Sequence, residues 1–143
     1  MAVLADLQGP KIRLGNMHSN VSIKKGEIIS FDCKNHFIGD KSKASISYPD
    51  FAKEVATCVK KNKDSFGILI CGSGIGISIA ANRYKGIRAA LCTTEMHAKM
   101  SRLHNNANIL ALGTRLTKES DIYKNLETFF KSSFEGNRHE HRI

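Results

Sequence analysis

The sequence predicts an α/β domain, a three-layer arrangement in which a parallel sheet lies between helices on both faces. Three observations predict it. Apolar runs of strand length at residues 67–71, 87–92 and 108–112 alternate with stretches of helical periodicity. The links between them are short, so the strands are joined by helical crossovers and lie parallel. Gly67-Ile68-Leu69-Ile70-Cys71 contains no charged or amide side chain, the pattern of a strand buried on both faces.

The elements follow in order. Up to about residue 45 the pattern is β-like. Val21-Ser22-Ile23 alternates, Lys24-Lys25-Gly26 forms a turn, residues 27–31 form a strand, and residues 32–47 form a polar loop. Pro49 and Asp50 then open a helix, since proline suits a first turn and an acid there offsets the dipole. Phe51, Val55 and Val59 give it one apolar face, and residues 60–65 break it. After the strand at 67–71, Gly72-Ser73-Gly74-Ile75-Gly76 is a glycine-rich turn leading into a short helix marked by Ile75, Ile79 and Asn82. The next strand, 87–92, precedes Thr93 and Thr94, either of which caps a helix with Met96, Met100 and Leu103 on one face. A strand at 108–112 ends at Gly113. Ile122, Leu126, Phe129 and Phe130 define the last helix.

Composition excludes several classes. A chain of 143 residues with 41% hydrophobic content has one core's worth of apolar side chains. No apolar run is long enough to cross a bilayer, and Asp6 and Gln8 interrupt the only candidate for a secretory leader, so a cytoplasmic location is expected. None of the four cysteines (Cys33, Cys58, Cys71, Cys92) forms a CxxC pair, which argues against a zinc site. No metal is expected, a disulfide framework is not expected in a reducing compartment, and Cys58 and Cys92 are expected in the core. The net charge of +9 is spread along the chain apart from Lys60, Lys61 and Lys63, and aromatic content is only 7%. Nucleic acid and membrane are therefore not expected partners; the charge suits small anionic substrates such as phosphate esters.

In parallel sheets ligands bind beyond the carboxyl ends of the strands. Cys71 ends such a strand and is followed by glycines and a helix N-terminus. Glycines let backbone N–H groups approach a ligand, and the field of the helix end favours negative charge, including a thiolate. The turn lacks the Lys-Ser/Thr of a nucleotide phosphate loop and the spacing of a dinucleotide fingerprint.

Five ordered segments resemble the B-type ribose-5-phosphate isomerases. They are Tyr48-Pro49-Asp50-Phe51-Ala52, the run from Ile68-Leu69-Ile70-Cys71 through Gly76 to Asn82, Gly86-Ile87-Arg88-Ala89-Ala90-Leu91-Cys92, His104-Asn105 with Asn108, and Gly136-Asn137-Arg138-His139 with Arg142. The resemblance covers residues 46–143 and implies a Rossmann-like fold. It further implies a cofactor-free isomerase of the pentose phosphate pathway that interconverts ribose 5-phosphate and ribulose 5-phosphate through an enediolate. On this resemblance Cys71 is the base, and backbone amides of residues 73–78, among them Gly74, Gly76 and Ser78, hold the enediolate. Gly72 and Ser73 lie beside the sugar, His104 assists ring opening, and Asn105 holds a hydroxyl. Arg138 and Arg142 hold the phosphate, with Tyr48 and Arg115 at further pocket positions. The family acts as homodimers in which His104, Asn105 and the two arginines serve the neighbouring subunit's pocket. Without the resemblance, His104 would be a helix-end cation and Arg138 and Arg142 a solvated tail; His139 and His141 are expected at the surface, and His18 and His36 in loops.

Residues 1–45 depart from this family. Its usual first strand ending in Ser-Asp-His-Ala-Gly, and the long helix after it, are absent. Residues 5–15 (Ala5-Asp6-Leu7-Gln8-Gly9-Pro10-Lys11-Ile12-Arg13-Leu14-Gly15) instead resemble pyruvate kinase where its chain enters the small β domain, which makes the chain a chimera divided at residue 45. The alternative function is then a weak or inactive phosphosugar-binding chimera. Even so, Ala2-Val3-Leu4-Ala5 is apolar enough to replace the missing strand, with Asp6 at its carboxyl end beside Cys71. Leu7 stands where the family has a phosphate-binding His. Leu7→His is therefore expected to lower the apparent KM for a sugar phosphate about tenfold or more, one contact to a charged group being worth about 1.5–3 kcal/mol. An unchanged KM would exclude that role for position 7.

Overall fold

The computed structural model describes residues 2–6, 47–61 and 65–143. The β-like stretch expected at 21–31, Leu7, Cys33, His18 and His36 lie outside the described residues.

The described strands are β1 (Ala2–Asp6), β2 (Phe66–Cys71), β3 (Ala89–Leu91) and β4 (Ile109–Gly113), and they form one sheet in the order β1-β2-β4-β3. Every neighbouring pair is parallel. The helices are α1 (Tyr48–Lys61), α2 (Ile75–Ala81), α3 (Glu95–Asn105) and α4 (Glu119–Lys131), followed by a 3₁₀ turn at Asn137–Arg142. No helix among the described residues is long and apolar enough to cross a membrane.

Alternation along the two central strands builds the three layers. Leu69, Cys71, Ile109 and Ala111 point to one face, where they pack with Val55, Ala56 and Val59 of α1 and Ile77 and Ala81 of α2. Ile68, Ile70, Leu110 and Leu112 point to the other, against Ala98 of α3 and Ile122, Leu126 and Phe129 of α4. Burying both faces explains why β2 and β4 carry no charged side chain. Gly67 is required at the start of β2, because a Cβ there would come within 2.6 Å of Val55 Cγ1.

The first strand takes the place expected of it. Ala2 to Asp6 pair in register with Phe66 to Ile70, which sets the Asp6 backbone beside the end of β2. Among the described residues β1 is an edge strand, so it extends the sheet rather than filling its centre.

Other expectations are corrected. The third strand is shorter than 87–92, because Ile87 N–H closes a turn on the Tyr84 carbonyl and Arg88 N–H donates to Asn108 Oδ1. Helix α1 runs on through Lys60 and Lys61, whose cations suit a helix C-terminus. Ile75 and Ile79 mark α2 but are exposed, and the helix buries Ile77, Ala80 and Ala81 instead. Met96 is exposed as well, while α3 buries Ala98, Ser101 and Arg102. The Arg102 guanidinium lies 4.5 Å from the Phe66 ring centroid and donates to the Ala107 carbonyl, so a charged side chain fills a core position. Of the two thiols expected in the core, Cys92 is fully buried and Cys58 only half-buried.

Candidate active site

Register gathers the first set of candidate residues at one rim of the sheet. Cys71 pairs with Gly113, Asp6 with Ile70, and Leu91 with Ala111, so Asp6, Cys71 and Gly113 all lie at the carboxyl ends. Cys71 is buried at 9% exposure, and Gly74 N–H donates to its Sγ at 3.1 Å. Gly74 has φ +75°, a left-handed conformation that turns this N–H back toward the sulfur.

The amides of residues 73–78 are not all available for an anion. Gly74 N–H is engaged by Cys71, Ile75 N–H by Ser73 Oγ at 3.3 Å, and Ser78 N–H by the Gly74 carbonyl at 3.2 Å. Those of Ser73, Gly76 and Ile77 have no partner among the described residues, as first-turn amides of a helix do not. The Ser78 hydroxyl turns back to the Ile75 carbonyl at 2.8 Å. Two exposed side chains flank the loop. The Arg115 guanidinium lies over Gly72, where a Cβ would be 3.1 Å from Nε, and the Tyr48 ring lies over Gly76, where a Cβ would be 2.9 Å from Cζ.

A further device holds this loop, and sequence reasoning missed it. Thr114 N–H donates to the Cys71 carbonyl at 3.0 Å and Arg115 N–H to the Gly72 carbonyl at 2.9 Å, tying the end of β4 to the glycine turn. Gly113 makes the approach possible, since a Cβ on it would stand 2.3 Å from the Ser73 carbonyl oxygen. Gly113→Ala is expected to push the loop away, costing about 1–3 kcal/mol of stability as an overpacked contact. Turnover should fall well beyond what the Tm shift accounts for at assay temperature. Wild-type turnover in that variant would show that loop position is unimportant.

The second set of candidates lies elsewhere. Helix α3 begins beyond the carboxyl end of β3 and ends before the amino end of β4, so His104 and Asn105 lie at the opposite rim from Cys71. With 5 residues in β4, the two rims are separated by about 16 Å. The C-terminal segment joins them there. Glu135 N–H donates to the Leu103 carbonyl at 3.0 Å, Gly136 turns the chain at φ +67°, and the 3₁₀ turn carries Arg138 and Arg142. Asn105 and Arg142 line, with Arg88, Asn82 and Ser101, an open cavity of ≈ 580 Å³. The arginines are thus borne on a docked turn rather than a loose tail.

His139 corrects the expectation of a surface residue. It is 4% exposed, and its ring stacks on that of His104 with centroids 4.3 Å apart. Burial, then the nearby His104, Arg138 and Arg142, hold its imidazole below its ordinary pKa, with Glu135 opposing. The Glu135 carboxylate faces both rings. The signal for this pair was its i, i+4 spacing, hidden by the absence of helical periodicity around it.

Cys92 is separated from this chemistry. Burial pushes its thiol up to about 11, against a smaller opposing effect of Ser101, so it stays protonated and unreactive.

The family model for Ribose/Galactose Isomerase matches residues 12–143. The chain belongs to the ribose/galactose isomerase family. That membership makes it a sugar-phosphate isomerase. The match begins upstream of residue 46, where the ordered motifs begin. Among relatives, a probable ribose-5-phosphate isomerase B of Mycoplasma genitalium is 50% identical over 101 residues, 70% of this chain and 66% of that protein. A putative sugar phosphate isomerase of Rickettsia conorii is 37% identical over 92% of this chain and 94% of its own length. The solved structure of the M. genitalium isomerase B with bound ribulose 5-phosphate superposes with a TM-score of 0.69 at 47% identity, covering 74% of this chain and 71% of that one. The isomerase B of Thermotoga maritima gives the same TM-score at 50% identity, over 74% and 73% of the two chains.

Proposed function

We propose that this family member interconverts ribose 5-phosphate and ribulose 5-phosphate without metal or cofactor, Cys71 acting as base. The carrying observation is the Gly74 N–H held 3.1 Å from Cys71 Sγ at the end of a buried strand. The thiolate takes the proton from C2 of the open-chain aldose and returns it to C1. Negative charge moves to the substrate oxygen in the enediolate between these steps, where the amides of Ser73, Gly76 and Ile77 face it. Ser73 and Gly72 lie beside the sugar, Tyr48 and Arg115 close its sides, and Asp6 approaches from β1.

The rest of the pocket comes from a second copy of the chain. One subunit cannot bring His104, Asn105, Arg138 and Arg142 to Cys71, because they occupy opposite rims of its sheet. In a homodimer, His104 of the partner subunit promotes opening of the furanose ring and Asn105 of the partner subunit holds a hydroxyl. The partner's Arg138 and the partner's Arg142 bind the phosphate through charge-assisted hydrogen bonds. Ile75, Ile79 and Met96, all exposed, are apolar enough to be covered by that partner.

The test is turnover of ribose 5-phosphate in D₂O. Isomerisation is expected, with deuterium entering C1 of the ketose to the extent that the thiol exchanges its proton with solvent while the enediolate is bound. Turnover of allose or galactose 6-phosphate instead would move the substrate assignment, and no turnover of any aldose phosphate would overturn the reaction. Leu7, standing where the family has His, favours a second reading, a chimera whose phosphate binding is weak.

A further inference from the structure

We propose that His104, Glu135 and His139 bind a divalent transition-metal ion of the zinc type, and that its binding inhibits the isomerase. The inhibitory part rests on the role proposed above for His104; the binding part does not.

Each residue offers one ligand atom, and the three atoms all lie within 4.8 Å of one another. Glu135 Oε2 is 3.9 Å from His104 Nε2 and 3.7 Å from His139 Nε2. Two imidazoles and a carboxylate are a donor set that zinc takes in open sites, leaving a fourth position for water or another ligand. With bonds of about 2.0–2.2 Å, tetrahedral ligands stand roughly 3.4 Å apart, so the two measured pairs need to close by about 0.5 and about 0.3 Å and the two imidazole nitrogens by up to about 1.4 Å.

The backbone fixes two of the three donors. The bond from Glu135 N–H to the Leu103 carbonyl pins Glu135 to the last turn of α3. His139 N–H to the Gly136 carbonyl, at 3.0 Å, closes the turn that brings His139 back to Glu135. His139 is buried, whereas His104 and Glu135 are open to solvent on one side, which gives an ion a route in. Two adjustments are needed. The rings are stacked almost parallel, at 10°, so His104 must rotate to aim at a common point. Arg138 Nε, which approaches His139 Nε2 at a long 3.4 Å, must swing away into solvent. Arg138 is exposed and His104 half-buried. The neighbouring Arg138 and Arg142 repel a cation, so the site binds reversibly rather than as a structural zinc centre. An ion here ties up the imidazole that serves ring opening.

The probe is Co²⁺ titrated into the full chain and followed by visible absorption. One ion per chain is expected, with the bands of a nitrogen–oxygen site, no thiolate charge-transfer band, and displacement by Zn²⁺. Glu135→Gln, at an exposed position, is expected to weaken Co²⁺ binding about tenfold or more, and His139→Gln to abolish it. His141→Gln should leave it unchanged. Zn²⁺ should inhibit turnover over the concentration range in which it displaces Co²⁺, and Glu135→Gln should shift that range upward equally. Undiminished Co²⁺ binding in Glu135→Gln, a thiolate charge-transfer band, or no binding would overturn the site. Because binding is read spectroscopically, it stands or falls separately from the isomerase assignment. Metal binding without inhibition of an active enzyme would overturn the inhibitory part alone.

Discussion

Replacing Cys71 by alanine is expected to lower isomerase turnover by about 100- to 10,000-fold, the usual contribution of a positioned general base. The fold should survive. Cys71 lies at the end of β2 rather than in its middle, and its neighbours Leu69, Ile77 and Ala111 remain packed. Cys71→Ser should be as inactive, because a hydroxyl at the same place is a far weaker acid and does not supply the anion. In the wild type, alkylation of Cys71 should abolish activity, and sugar phosphate should slow it. Cys92 is the internal control, since its buried, protonated thiol should react far more slowly. The measurements are turnover and thermal melting on the same samples, with peptide mapping of the alkylated sites. Wild-type turnover by either variant would exclude Cys71 as the base.

The second large effect is recovery of activity on mixing two inactive chains. Cys71→Ala removes the base, and Arg138→Ala removes a charge from the opposite rim of the sheet. If two subunits share each pocket, a mixed dimer has one pocket with both residues intact. Random reassortment gives about half mixed dimers, so about a quarter of wild-type activity is expected from an equal mixture. Arg138 is exposed and borne on the terminal 3₁₀ turn, so its loss should leave the fold unaffected. A mixture no more active than its parents after subunit exchange would exclude shared pockets. A chain that sediments as a monomer at micromolar concentration would exclude them too.

Continuous apolar runs and helical patterns located β2, β4, α1 and α4 because those elements bury the side chains that create the pattern. They failed where burial and pattern part company. Ile75, Ile79 and Met96 have helical spacing yet face outward, and exposed apolar side chains at that spacing look like a core in the sequence. Conversely, Arg102 fills a core position because its guanidinium lies over the Phe66 ring and reaches the Ala107 carbonyl. The glycine turn from Cys71 into a helix N-terminus was legible, but not which of its amides are already engaged, as that depends on a left-handed Gly74.

The sequence by itself determined the chain's family, its layered α/β class and the identity of the sulfur at the end of β2. These depend on local order along the chain: apolar runs, glycines and caps act within a few residues. Only the tertiary structure decided that Cys71 and His104 stand at opposite rims of one sheet. Only it showed that Gly113 must be small to admit the Ser73 carbonyl, and that Glu135 and His139 gather around His104. Those relations join segments far apart in sequence, and contacts of that kind are set by strand order and packing, which leave no periodic trace in either segment alone.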